Sequence, residues 1–592
     1  MHNQELNNKA KYTTNQEPIT PQMTAKYLQF DKILRPAIIC AVLMAFPART
    51  IAQTKAYNEE ITVVAPYEPS VPDAFKINLN PKTGDSDFKI PKLNYSIKSK
   101  PFETQMEVEP LTPVKMVSEP LTKLYRNYLR LGMGSYSTPY AEFFANSMRS
   151  KDHALGVHLK HLSSSGSLDK YAFSGSSTNL AEVMGSKITV AHTLSGKLFY
   201  DREVIHHYGF IPVNFDTLTK KDDLRQRYNI AGLEAGYKSN YTEKDKLNHA
   251  FGLSYYNLAD LAELREDHIQ FDASADKQFK LFDLTDVQQA GLAVSINHFG
   301  QRDTHSKINS NIFGIKPFIS TNFEEYSFYA GLNISVAADT ITRIHFYPLL
   351  EAKLRIIPNV LEIYTGISGN VSRQNYRDLI AENPFVGSSL KMAFTYETFK
   401  FYGGITSNIG QNLDLSAAVS FSTFQNMPFF VNNLSSQLGN TFTLVYDDVN
   451  LMRLSADATF RSSDKLSMTV HGAYLKYSMT NELEPWHKPS TTIGFTGRYN
   501  IREKIVVTGD LTWNGKSYAR VLAPFGRRTP LHPYEASELK GYADASLGLE
   551  YRYTKLLSAF LQFNNIGNVR YFRWYNYPSQ RFNAMAGITF TF

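Results

Sequence analysis

The stretch that decides the fold is Phe582–Phe592, FNAMAGITFTF. Phe582, Ala584, Ala586, Ile588, Phe590 and Phe592 are apolar, and Asn583, Gly587, Thr589 and Thr591 fall between them, with Met585. A period of two is the period of a strand with unlike faces. What the apolar face meets has to come from the rest of the chain.

Working back towards the N-terminus, the same texture recurs. Leu350, Ala352, Leu354 and Ile356 alternate with Glu351, Lys353 and Arg355. Ile269, Phe271, Ala273 and Ala275 alternate with Gln270, Asp272, Ser274 and Asp276. Ala543, Ala545, Leu547, Leu549, Tyr551 and Tyr553 alternate with Asp544, Ser546, Gly548, Glu550 and Arg552. Ile493, Phe495 and Tyr499, and likewise Leu454, Ala456, Ala458 and Phe460, behave the same way. The repeats continue without a convincing long amphipathic helix, and many reach ten residues or more. That length suits a tilted membrane strand better than a strand of a soluble sheet. The polar face is often charged, as expected of a wet lumen, while the apolar face meets lipid.

The fold class is therefore all-β: a transmembrane antiparallel β-barrel. About 470 residues at roughly 21 per strand and loop give about 22 strands, within a range of 18 to 22. Boundaries are ambiguous around Tyr171 to Phe210 and Leu390 to Gln425. Aromatic runs such as YFRWYNYP (Tyr571 to Pro578) and FKFYGG (Phe399 to Gly404) are expected in interfacial girdles. QNMPFF (Gln425 to Phe430) is expected to be a lumenal loop or a bend at the membrane edge.

The first half-hundred residues differ. The single cysteine, Cys40, lies in the apolar run Ala37 to Phe46, preceded by Lys32 and Arg35 and followed by ARTIAQ. The run is too short to span a bilayer as a helix. Residues 1–53 are expected to be a leader with a secretory signal peptide cleaved near Ala52 or Gln53, with Met23 a candidate start. Residues 54–124 hold Pro66, Pro69, Pro72, Pro81, Pro91, Pro101, Pro110, Pro113 and Pro120. That density breaks helices and central strands, so the segment is expected to be irregular, lying in the periplasm or filling the lumen. Residues 125–592 form the barrel.

Net charge is +7 and no Lys/Arg block stands out, so nucleic acid is not a partner. Gly-rich phosphate loops, HExxH and CxxC are absent, and no cofactor is expected. His206 and His207 are adjacent, and adjacent strand residues point to opposite faces, which argues against metal ligation. Charged positions Glu351, Lys353, Arg355, Asp544, Glu550 and Arg552 are expected to pair across strands and solvate the interior, with a solute path as the sharper alternative. An enzyme is not expected.

The last residues, LQFNNIGNVRYFRWYNYPSQRFNAMAGITFTF, resemble the C-terminal end of TonB-dependent outer-membrane receptors. The resemblance rests on Asn565, Ile566, Tyr571, Tyr577, Pro578, Arg581 and Phe592. Ile566 stands where Leu is usual, and Ser579 and Gln580 stand where a Gly often precedes the Arg. The resemblance implies that Phe582, Ile588, Phe590 and Phe592 form a signal for the outer-membrane barrel assembly machinery. Glu60, Ile61, Thr62, Val63, Val64 and Ala65, with Glu59 before them, resemble the short box that pairs with TonB as a strand. The family's plug signatures are missing, so a plug-less variant is expected, in the style of outer-membrane proteins of Bacteroidota. The implied function is solute transport across the outer membrane. The alternative is a structural or assembly subunit that holds surface lipoproteins or other envelope proteins.

Overall fold

The computed structural model describes residues 91–96, 98, 124–148, 150–166, 168–210, 220–243, 245–280, 288–304, 306–436, 438–523 and 533–592. The chain divides into two units, Gln29–Thr122 and the remainder. Of the first, residues 91–96 and 98 are described; they are exposed and carry no regular structure. The leader and the TonB-box-like segment Glu59 to Ala65 lie outside the described residues.

The second unit is one 22-stranded antiparallel sheet that closes on itself. Each strand pairs with its neighbours in the sequence. The first, Asn127–Gly134, pairs with the last, Asn583–Thr591, from Tyr128 opposite Thr591 to Gly134 opposite Met585. Closure leaves no open edge, so every strand's backbone has partners on both sides. Strands run from 8 residues at the seam (Asn127–Gly134) to 20 and 21 in the pair Leu413–Asn432 and Phe442–Ser462. The wall is therefore low at the seam and tallest at that pair.

The two ambiguous regions each resolve into two strands: Ser176–Ile188 and His192–His206, then Phe394–Ile409 and Leu413–Asn432. QNMPFF is not a loop but a bend: it sits within the Leu413–Asn432 strand as a bulge, where pairing slips between Phe424 and Met427 and Asn426 takes a φ of +56°. A bulge of this kind bends the strand and lets it continue. Beyond it Phe429, Phe430 and Val431 are buried.

Alternation sets the two faces. Leu350, Ile269, Leu454, Ile493 and Ile588 are exposed on the outside of the barrel. Glu351 and Lys353, of opposite parity, form an ion pair at 3.3 Å, and Tyr402 Oη donates to Glu351 at 2.8 Å. An exposed apolar band of this extent has to be covered by another apolar phase. A closed barrel, apolar outside and polar inside, is the one β architecture that crosses a bilayer.

The two ends are unlike. At the end holding the first residue of the first strand and the last residue of the last, no connection exceeds eight residues: 189–191, 323–325, 358–360, 410–412, 463–465 and 502–504 have three each, and 147–152, 240–247, 280–287 and 553–556 are longer. At the other end they include 165–175, 207–224, 374–393, 433–441, 480–490, 515–541 and 565–582. Short turns on one side and long loops on the other are typical of outer-membrane barrels.

Candidate functional site: the capped mouth of the barrel

Several long connections fold inward over the barrel mouth instead of standing away from it. The 374–393 connection carries the helix Tyr376–Glu382, whose N-cap Asn375 accepts from the Asp378 amide at 2.8 Å. The 565–582 connection carries a two-stranded hairpin, Phe572–Trp574 with Tyr577–Pro578. Both pack on wall residues in one buried cluster. It joins Phe199, Tyr228, Tyr256 and Leu258 of the wall to Tyr376, Leu379, Phe385, Trp574 and Tyr577 of the cap. The rings of Phe385 and Tyr577 stack with centroids 3.7 Å apart, and Tyr208 meets Tyr577 edge-on at 4.9 Å. Aromatic packing of this kind gains about 0.5–1.5 kcal/mol per pair beyond the area buried.

Polar contacts lock the same loops. Glu266 is fully buried in the wall. Its carboxylate accepts the Tyr376 amide at 2.8 Å, the Arg377 amide at 3.4 Å and the Tyr256 hydroxyl at 2.9 Å. A buried carboxylate is tolerated only when its lone pairs are filled, and here the first amides of the cap helix fill them. Tyr228 Oη donates to the Pro384 carbonyl at 3.0 Å, and Gln226 Nε2 to Ser388 Oγ at 3.0 Å. Asn440 Nδ2 donates to the His207 carbonyl at 2.7 Å, and the Tyr577 hydroxyl donates to the Asn440 carbonyl. Tyr208 Oη donates to the Pro578 carbonyl at 3.1 Å. Lys488 is ion-paired with Glu382.

Burial governs the titrating groups of the cap. It pushes the His207 and His487 imidazoles each down to about 4. It pushes the Asp378 carboxyl up, against the Asn375 hydrogen bond. For Glu382 burial acts upward too, but the charge and hydrogen bond of Lys488 outweigh it, and the carboxyl is held below its usual range.

Beside the cap, near the seam, lies a cavity of about 140 Å³ with a mixed lining, polar at Ser174, His206 and Asp544 and apolar at Ile205 and Phe385. Room of that order holds several waters or a small polar solute. Lower in the lumen Glu182 contacts Lys197 at 2.7 Å and His158 at 3.3 Å, and His158 reaches Glu142 at 3.2 Å. Some lumenal charge is paired across neighbouring strands, as with Arg355 and Glu362 at 3.6 Å, whereas Glu351 with Lys353 and Glu550 with Arg552, the latter at 3.6 Å, pair along a single strand and not across strands as expected.

The sequence-derived candidates are placed as follows. Phe582, Ile588, Phe590 and Phe592 are all exposed on the outer surface, with the Phe590 and Phe592 rings 5.2 Å apart. Asp544 accepts from Tyr571 Oη at 2.5 Å, which ties the 565–582 loop to the wall. His206 Nδ1 lies 2.6 Å from the Gly175 carbonyl, and His207 packs beside Phe385. Among the described residues no three His, Cys, Asp or Glu side chains gather as a metal site. The girdle expectation for YFRWYNYP is corrected: Tyr571, Trp574 and Tyr577 are buried in the cap, away from the outer surface. FKFYGG does face outward, through Phe399 and Phe401. Glu266 and the cap helix were missed. The Asn375–Asp378 capping spacing ahead of LIA was the available signal.

No family model and no curated protein matches the sequence. Solved structures do match in fold. The FrpB iron transporter from Neisseria meningitidis is 10% identical, with 80% of this chain and 82% of that one covered and a TM-score of 0.59. The ferric-catecholate import receptor Fiu of E. coli K12 is 10% identical over 80% and 82% of the two chains, TM-score 0.58. The ferripyoverdine receptor of the outer membrane of Pseudomonas aeruginosa is 13% identical over 80% and 72%, TM-score 0.53. At such identities the likeness is one of fold: a large closed β-barrel.

Proposed function

We propose that this chain is an integral outer-membrane β-barrel that moves a solute across the outer membrane, with the capped mouth as its gate. The supporting observation is that several long loops pack on one another across the mouth of a barrel whose lumen is charged and water-compatible. A barrel serving only as a wall anchor has no need of such a cap. The fold likeness to an iron transporter and two import receptors points the same way.

In this proposal residues 1–53 are removed on export and 54–124 lie on the periplasmic side or in the lumen. Glu60 to Ala65 pair with TonB, and Phe582, Ile588, Phe590 and Phe592 are read by the assembly machinery. The test is uptake by cells carrying the chain with and without Glu59 to Ala65. Loss of uptake of a specific nutrient on deletion supports the proposal. Unchanged uptake, together with fixed-ratio co-purification of surface lipoproteins, contradicts it and favours the scaffold alternative.

A further inference from the structure

On the outer face of the wall, near the long-loop end, a serine, a histidine and an asparagine stand in hydrogen-bonded series. Ser163 Oγ lies 3.2 Å from His161 Nε2, and His161 Nδ1 lies 2.7 Å from Asn179 Oδ1. His161 and Ser163 are two apart on the strand His153–Ser164, so they share a face. Asn179 comes from the next strand, where pairing sets it directly opposite His161. Parity makes this the outer face. Leu155 and Leu159 are exposed on it, while Leu162 is buried and His158 meets Glu142 and Glu182 in the lumen. On the Asn179 strand Val183 shares the outward parity and is exposed. Ser163, His161 and Asn179 are each half-buried, so a molecule lying against the wall can reach them.

Hydrogen bonding orders the protons. Asn179 Nδ2 donates to Ser177 Oγ at 3.3 Å, which turns Oδ1 towards the ring. An amide oxygen only accepts, so His161 Nδ1 carries the proton and donates it. Nε2 is then an acceptor for the Ser163 hydroxyl, within the reach a general base needs. Nucleophile, base and orienting group are recognised by such geometry and not by their order in the chain. Polar and ionisable groups on a lipid-facing wall are costly, so a wall with no other task would carry apolar side chains there.

The height suits a lipid ester. Twelve residues of a tilted strand rise roughly 25–30 Å, about the height of the apolar band of such a barrel. Ser163 is the last residue but one of its strand, at the long-loop end. That places its hydroxyl at the upper edge of the band, where acyl chains join headgroups.

We propose that Ser163, His161 and Asn179 hydrolyse acyl esters of membrane phospholipids in the leaflet nearest the long-loop end. Ser163 Oγ bonds to the ester carbonyl carbon as its proton passes to His161 Nε2. Ser177, directly opposite Ser163, turns its hydroxyl proton to the oxyanion. The bond from carbonyl carbon to alkoxy oxygen then breaks, and His161 returns the proton to the departing lysolipid oxygen. Water attacks the acyl-serine and gives a proton to His161. The fatty acid leaves as Ser163 Oγ takes that proton back. Asn179 is a positioning residue: it holds the ring and touches no substrate. The site rests on the membrane placement of the barrel and on none of the transport assignment, since it opens on lipid and not on the lumen.

The test uses the purified full chain in mixed micelles of neutral detergent and phosphatidylethanolamine. Mass spectrometry measures fatty acid and lysolipid, and a fluorophosphonate probe reports an activated serine. Release of both products and labelling at Ser163 are expected. Ser163→Ala is expected to abolish both, and His161→Gln to slow release by about a hundredfold or more. Asn179→Ala is expected to slow release by about tenfold or more, with Asn179→Asp restoring most of it, because a carboxylate also accepts from Nδ1. A purely structural Asn179 would show no such rescue. The heat-modifiable band on electrophoresis identifies the variants that fold. Full release by folded Ser163→Ala overturns the proposal, as does a folded parent that releases no fatty acid. Solubility without detergent would sink the membrane placement itself, a different failure from either of these.

Discussion

The Glu266 carboxylate accepts the backbone amide of Tyr376 at 2.8 Å, so the barrel wall itself caps the helix that closes the mouth. The contact spans 110 positions in the chain, and it fixes where the 374–393 connection sits.

Replacing Glu266 with Ala leaves the Tyr376 and Arg377 amides without their acceptor. A buried donor left unmade costs about 1–3 kcal/mol. Faster hydrogen exchange is expected across 374–393, with the strands Arg225–Ser239 and Asn248–Ala259 unchanged. Exchange mass spectrometry checks this; uniform acceleration along the whole barrel contradicts it.

Tyr577 stacks on Phe385 and donates to Asn440, so Tyr577→Ala removes a ring and a hydrogen bond from the cap's centre. Large-to-Ala changes in a packed core cost about 3–5 kcal/mol. Because the loss falls on the cap, the barrel is expected to stay heat-resistant on gels while proteolysis at 565–582 becomes easier.

Acid is expected to loosen the cap. His207 and His487 titrate near pH 4 when the loops are packed, against about 6.5 when they are free. Between those values the open loops bind more protons than the closed ones, so closure weakens as pH falls from about 6.5 towards 4. Glu382, held low by Lys488, adds a further loss only as pH drops through its depressed range. Asp378, raised by burial, works the other way. Tryptophan fluorescence of Trp574 and Trp486 against pH measures the slope; His207→Gln with His487→Gln is expected to flatten it above pH 4.

At the seam, a Cβ on Gly587 would lie 2.1 Å from the Leu131 carbonyl and 2.5 Å from the Phe560 ring. Gly587→Ala is therefore expected to block closure of the first strand on the last. The readout is loss of the compact, heat-modifiable band on electrophoresis. Gly509→Ala, where no atom lies within 4 Å of the added Cβ, is the control expected to keep it.

The wall was legible because its rule is local: each strand must turn one parity to lipid and the other to the lumen. Ile269, Leu350, Leu454 and Ile588 carry that rule in any window of a few residues. The cap was not legible, because its rule is long-range. In composition YFRWYNYP is indistinguishable from an interfacial girdle, and only packing against Phe385, Phe430 and Phe442 sends Trp574 and Tyr577 inward. The bulge at Asn426 escaped for a related reason, since a strand that bends and resumes looks like a strand that ends. Glu266 carries no local signal of its role, because its partner helix lies 110 positions along the chain.

The account turns on which parity of the wall meets hydrocarbon. The most direct measurement is spin-label accessibility at consecutive cysteine substitutions from Leu350 to Arg355 in reconstituted bilayers. Leu350, Ala352 and Leu354 are expected to be reached by oxygen from the lipid, and Glu351, Lys353 and Arg355 by a water-soluble nickel reagent. Equal access of the nickel reagent to both sets would contradict a membrane-spanning barrel.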